Sequence, residues 1–102
     1  MRPRLIFRPE ARAKIVEAFN QLDLSTSPRG ESFLVTIDEA LEFIEEFPFA
    51  CPLSFDQVRR KNLGKFACAL LYTMRDGKEE RLITIIGCIH ERRDPQTWRV
   101  EE

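Results

Sequence analysis

"KFACALLYTMRDGKEERLITIIGCIH", residues 65–90, is the stretch on which the fold turns. Two apolar runs, Lys65 to Met74 and Glu80 to His90, flank Asp76-Gly77, and an Asp-Gly pair between β-branched and aromatic runs is a hairpin signal. One step toward the N-terminus, Gly64 supplies another turn, and Val58 to Leu63 forms a more polar strand. Three strands then make an antiparallel meander. Alternation puts Phe66, Cys68, Leu70, Tyr72 and Met74 on one face of the middle strand, and Ala67, Ala69, Leu71 and Thr73 on the other. In the last strand Ile83, Ile85 and Ile89 oppose Leu82, Thr84, Ile86, Cys88 and His90. A turn pairing Met74 with Glu79 joins the small-residue face to the one carrying His90, with Arg60 beside the alanines. The expected result is a shallow open face with His90 and Arg60 at its rim, although a slip of one residue would reverse it.

Further out, Ala11, Ile15, Ala18, Phe19 and Leu22 recur at helical spacing, with Pro9 suited to the first turn. After Ser25-Thr26-Ser27-Pro28, a second helix carries Phe33, Ile37, Ala40, Leu41 and Ile44 and ends at Phe47-Pro48. Leu5-Ile6-Phe7 is a short N-terminal strand, and Phe49 to Phe55, interrupted by Pro52, is a connection. The order β-α-α-β-β-β predicts an α+β domain spanning residues 1–102. In it an antiparallel sheet, the three-strand meander plus the N-terminal strand, packs on two helices.

The chain has 102 residues, 43% hydrophobic and 32% charged, with a net charge of −1. That composition excludes disorder and suits one domain with one core. No secretory or membrane-spanning run is present, so the expected location is the cytoplasm. Three cysteines without a CxxC pair, and one histidine, give no zinc pattern and imply no metal or cofactor. Cys68 and Cys88 read as small buried hydrophobes. The charge is bipolar. No Lys or Arg lies between Arg29 and Arg59, where Glu31, Asp38, Glu39, Glu42, Glu45, Glu46 and Asp56 all fall, while basic residues cluster at Arg59-Arg60-Lys61 and Arg92-Arg93.

His90 is the one side chain whose ordinary pKa lies near neutrality, and it stands at the mouth of the last strand. Cleavage of RNA through its 2′-hydroxyl requires a base, an acid and cations, which His90, Arg60 and Arg81 could supply, with Lys61 and Arg92 adding charge. Each also has an ordinary structural reading. A strand-end histidine satisfies a carbonyl, Arg92-Arg93-Asp94-Pro95 is a charged strand exit, Trp98 is a lid on the core, and the acidic helix face is solvated. Tyr72 reads as a core residue with its hydroxyl satisfied.

"VRRKNLGKFACALLYTMRDG" and "ITIIGCIHERRDP", with "EEFP" upstream, resemble the RelE/ParE family of bacterial type II toxin–antitoxin toxins. Arg60, Phe66 and Tyr72 match that family's strand residues, and His90, Arg92, Arg93, Asp94, Pro95 and Trp98 match its closing segment. The order of elements agrees over almost the whole chain. The resemblance implies a growth-inhibiting, plasmid-stabilising toxin neutralised by a cognate antitoxin, with homodimer formation open. It implies two activities. ParE-like members bind and inhibit DNA gyrase, whereas RelE-like members cut mRNA on the ribosome. The near-neutral charge and the few lysines (Lys14, Lys61, Lys65 and Lys78) favour the ParE-like branch. On that reading Arg60, Lys61, His90, Arg92, Arg93 and Trp98 contact the target or antitoxin. On the ribonuclease reading His90, Arg60 and Arg81 are catalytic. A degenerate, non-toxic binding module is the third reading.

Overall fold

The computed structural model describes residues 2–24 and 28–90. Strand β1 (Arg2–Phe7) leads into α1 (Pro9–Asp23) and α2 (Gly30–Glu46). Then follow β2 (Leu53–Phe55), β3 (Val58–Asn62), a 3₁₀ turn (Gly64–Phe66), β4 (Cys68–Asp76) and β5 (Glu80–His90). The strands form one sheet in the order β1-β5-β4-β3-β2. The α+β class and the meander follow the sequence expectation. The sheet is mixed, because β1 pairs with β5 in parallel, with Leu5 beside Ile83. That arrangement follows from the connectivity: the two helices carry the chain from β1 to β2 at the opposite edge, and the antiparallel run β2-β3-β4-β5 returns across the sheet, so that β5 arrives beside β1 in the same direction.

Pro9 opens α1 at a position where a missing N–H costs nothing, and Glu10 complements the helix dipole there. The predicted stripe of α1 turns inward: Ala11 is buried, and Ile15, Ala18, Phe19 and Leu22 pack around it. On α2, Phe33, Ile37, Ala40 and Ile44 are buried, while Glu31, Asp38, Glu39, Glu42 and Glu46 are exposed. Gly30 sets the closeness of the two helices. A Cβ there would stand 2.6 Å from the Phe19 ring and 2.8 Å from the Asp23 carboxylate. The core joins these faces to Leu63, Phe66, Cys68, Leu70, Tyr72, Ile83, Ile85 and Cys88 from the sheet side. Phe66 lies in the 3₁₀ turn and meets Phe33 edge-on, with ring centroids 5.3 Å apart.

Several details differ from the sequence reading. Lys65 and Phe66, expected in the middle strand, belong to the 3₁₀ turn with Ala67 as its cap, so β4 starts at Cys68. The connection containing Pro52 includes β2, which pairs antiparallel with β3 as the sheet's outermost strand. The β4–β5 hairpin pairs Met74 with Ile83 rather than Glu79. Between Leu71/Gly87 and Tyr72/Ile85 the ladder carries a bulge, with Ile86 the extra residue on β5. One extra residue turns everything beyond it over. Cys88 therefore joins Ile83 and Ile85 in the core, and His90 lies opposite Cys68 on the helix side of the sheet. Arg60 pairs with Leu71 on the other side. Nor is the expected open face exposed around the alanines, since Val58, Ala69 and Leu71 are all buried on it. Among the described residues no helix is long and apolar enough to cross a membrane.

Candidate functional site

The alternation of β3 sorts its three central cations. Arg59 pairs with Tyr72 and Lys61 with Leu70, so both reach toward the helix layer, whereas Arg60 reaches away from it. Arg60 Nε donates a 2.8 Å hydrogen bond to the Asn62 side-chain oxygen on that far face. Arg81, at the start of β5, grips the Asp76 carboxylate with two donors at 2.7 and 3.3 Å. That bond draws Asp76 below its ordinary carboxylate range and raises Arg81 in turn. His90 ends the same strand nine residues on, about 30 Å away at strand rise.

His90, Arg60 and Arg81 are therefore not brought around one point. Arg60 and His90 occupy opposite faces, and Arg81 and His90 opposite ends. Arg92, Arg93 and Trp98 lie outside the described residues.

What the fold does gather on the helix side is a row of cations laid over phenylalanine rings. Arg29 and Lys65 each stand 5.3 Å from the Phe66 ring, and Lys61 stands 4.4 Å from Phe43. Arg59 and Arg81 both approach Phe49, at 5.4 and 4.8 Å. Each ring presents its negative face to a cation, an attraction of about 0.5–1 kcal/mol where exposed. Sequence reasoning missed this row. Apart from the adjacent Lys65 and Phe66, the partners come from different elements at irregular separations, and the one available signal is eight phenylalanines in a cation-bearing chain.

Arg59 is also a structural clasp. One of its terminal nitrogens donates to the Cys51 carbonyl at 2.6 Å and reaches the Phe49 carbonyl at 3.3 Å, supplying donors just past the end of α2. Tyr72 completes the clasp as a fully buried residue whose hydroxyl donates to the Pro48 carbonyl at 2.9 Å. Burial first, and then the neighbouring Cys51 thiol, pushes its ionisation well above the ordinary phenol range, against the pull of Arg59. Tyr72 is a core residue with a satisfied hydroxyl, as its place in the strand pattern implied. Cys51, Cys68 and Cys88 are buried thiols that form no disulfide with one another, and burial with Cys68 nearby pushes the Cys88 thiol up to about 12. Such a thiol stays protonated and unreactive at neutral pH. Among the described residues no cluster of His, Cys, Asp and Glu could hold a metal ion.

Next to the row lies a groove of about 470 Å³ between α2 and the β3–β4 turn. Ala40, Phe43 and Leu63 form its apolar part, and Lys61, Lys65 and Glu39 its charged rim.

Fold and site together define a small α+β protein that presents cations on a sheet backed by a helical hairpin. No family model matches the chain, and no curated protein does. Among solved structures, one described as the chromosomal ParDE TA system from P. aeruginosa contains a chain of similar fold. The match covers 84% of this chain and 92% of that one, with a TM-score of 0.58 and 16% sequence identity. At that identity the likeness is one of fold.

Proposed function

We propose that this protein is the toxin component of a type II toxin–antitoxin pair, acting in the cytoplasm and held inactive by a cognate antitoxin. The observation that carries this reading is the fold shared with a chain of the ParDE TA system over 84% of this chain and 92% of that one. The closing "CIHERRDP" and the strand residues Arg60 and Tyr72, which resemble the RelE/ParE toxins, point the same way. The expected result is growth arrest on expression of the protein alone, relieved by co-expression of the small gene beside it. Normal growth at high soluble expression would favour a non-toxic binding module.

For the mode of action we favour inhibition of DNA gyrase through protein contacts. A ribonuclease mechanism needs its base and cations around one phosphate. Here the candidate base His90 is separated by a sheet from Arg60 and by the length of β5 from Arg81, whose fork already holds Asp76. A contact surface makes no such demand. Supercoiling by purified gyrase, run beside primer extension on a translated mRNA, separates the two. Loss of supercoiling with intact mRNA is expected, and codon-spaced cuts with unaffected gyrase would reverse the order.

A further inference from the structure

The groove between α2 and the β3–β4 turn has three features that together specify a ligand. The first is its cations. Lys61 and Lys65 line the same groove, and among the described residues neither has a carboxylate partner. Each ammonium is held over a ring instead, Lys61 over Phe43 at 4.4 Å and Lys65 over Phe66 at 5.3 Å. A ring orients an ammonium without neutralising it, so these two charges are pre-positioned yet free to take an anion. The second feature is the floor. Ala40 and Leu63 are almost wholly buried, and the Phe43 ring is half-buried beside them, an apolar surface suited to a side chain rather than to a hydrated ion.

The third feature is the wall. The turn carrying Lys65 is fixed by two left-handed residues, Gly64 at φ 58° and Ala67 at φ 54°, and by the Ala67 N–H bonded to the Gly64 carbonyl at 3.1 Å. Its lip is thereby held at a set distance from α2. Glu39 stands in the same groove and repels an anion from that side, so a bound carboxylate is directed toward the two lysines.

We propose that this groove docks an acidic, partly apolar peptide segment of a partner protein. One carboxylate would lie between Lys61 and Lys65, and an adjoining aliphatic side chain would rest on Phe43, Ala40 and Leu63. Charge complementarity selects the occupant. A nucleic acid strand would find only two cations set against Glu39, with the nearer ring face already covered by Lys61. A small anion would leave the apolar floor unused. The inference does not depend on the toxin reading, because it concerns a surface whose binding is measured in isolation.

The test is titration of the isotope-labelled full chain, followed by NMR, with an acetylated and amidated peptide of alternating Glu and Leu. A Lys/Leu counterpart and an oligothymidylate serve as the other probes. Saturable shifts at Thr36, Ala40, Phe43 and Asn62 are expected from the Glu/Leu peptide alone, weakening as salt screens the pairs. Lys65→Gln, at an exposed position where the fold is not at stake, should weaken binding severalfold. The double variant Lys61→Gln/Lys65→Gln should weaken it by about tenfold, as loss of two partly desolvated charge pairs implies, and Lys61→Arg should largely retain it. Thermal unfolding of each variant confirms that it is folded. Absence of saturable shifts, shifts centred elsewhere, equal response to the Lys/Leu peptide or the oligothymidylate, or undiminished binding by folded Lys65→Gln and double-variant protein would overturn the proposal. Growth is not read in this experiment, so a failure of the toxin reading leaves its outcome untouched.

Discussion

Tyr72 shows how much one hydroxyl does in a domain this small. Its ring fills the core, while its O–H crosses 24 residues of sequence to hold the Pro48 carbonyl where α2 has ended. Tyr72→Phe keeps the ring and strands that buried carbonyl, so it should lower unfolding stability by about 1–2 kcal/mol, measurable by urea denaturation. The Asp76–Arg81 pair is a different case, exposed and readable through pH. The folded Asp76 carboxyl is depressed, so the pair's contribution is present above the unfolded carboxylate pKa. It is lost as pH falls through the lower folded value. The stability gap between the parent and Asp76→Asn should therefore close on acidification through the carboxylate range, and narrow with salt. A gap independent of pH would show that the asparagine acts through something other than charge. His90 ends β5 with neither Arg60 nor Arg81 beside it, and we read it as a strand-end residue. His90→Gln should keep its fold and most of any toxicity, read as growth arrest on induction. Complete loss of toxicity in folded His90→Gln, together with mRNA cleavage by the parent, would restore the catalytic reading.

At the scale of elements, Ala67 is the place where local preference and the fold disagree. An L-residue at φ 54° is held against steric strain that glycine would not feel. Ala67→Gly should raise stability by roughly 0.5–1 kcal/mol once the added freedom of the unfolded chain is subtracted, seen as a higher denaturation midpoint. The helices and the three long strands were legible because their apolar residues recur at clear periods, and β5 runs from Glu80 to His90 as its pattern implied. Two elements were not. Strand β2 is three residues long beside Pro52 and owes its existence to the partner strand β3. The Ile86 bulge left no mark because Leu82–Ile89 is apolar at both parities, so inserting a residue breaks no visible alternation. Unbroken alternation sets His90 on the face of Ala67 and Ala69, and the bulge turns it to the face of Cys68. The cation–ring row was illegible for a related reason. Phe43 and Phe49 meet their cations only when α2 and the loop after it converge on β3 and β5, and Phe66 meets Arg29 only when the 3₁₀ turn reaches the start of α2.

For the molecule as a whole, topology decides where stability is concentrated. β5 is hydrogen-bonded on both sides, to β1 and β4, and β4 likewise to β5 and β3, whereas among the described residues β1 and β2 each have one neighbouring strand. Strands β4 and β5 also carry Leu70, Tyr72, Ile83 and Ile85, all fully buried. Opening either of them breaks two ladders and exposes the core at once, so local fluctuations cannot release their amides. β2 has one short ladder, and its Leu53 and Phe55 side chains are exposed, so little opposes its detachment. Native-state hydrogen exchange should therefore grade across the sheet. The amides of Leu70, Tyr72, Ile83 and Ile85 should exchange only through global unfolding, with a denaturant dependence equal to that of the whole protein. Amides of β2 should exchange through small openings with almost none. The graded pattern also bears on function, since the part that detaches most easily adjoins the Arg59–Phe49 clasp, while the strand carrying Lys61 is tied to the rigid centre through its ladder with β4. Protection of β2 equal to that of β4 would mean that the sheet unfolds as one unit and that its outer edge is held by more than the ladder with β3.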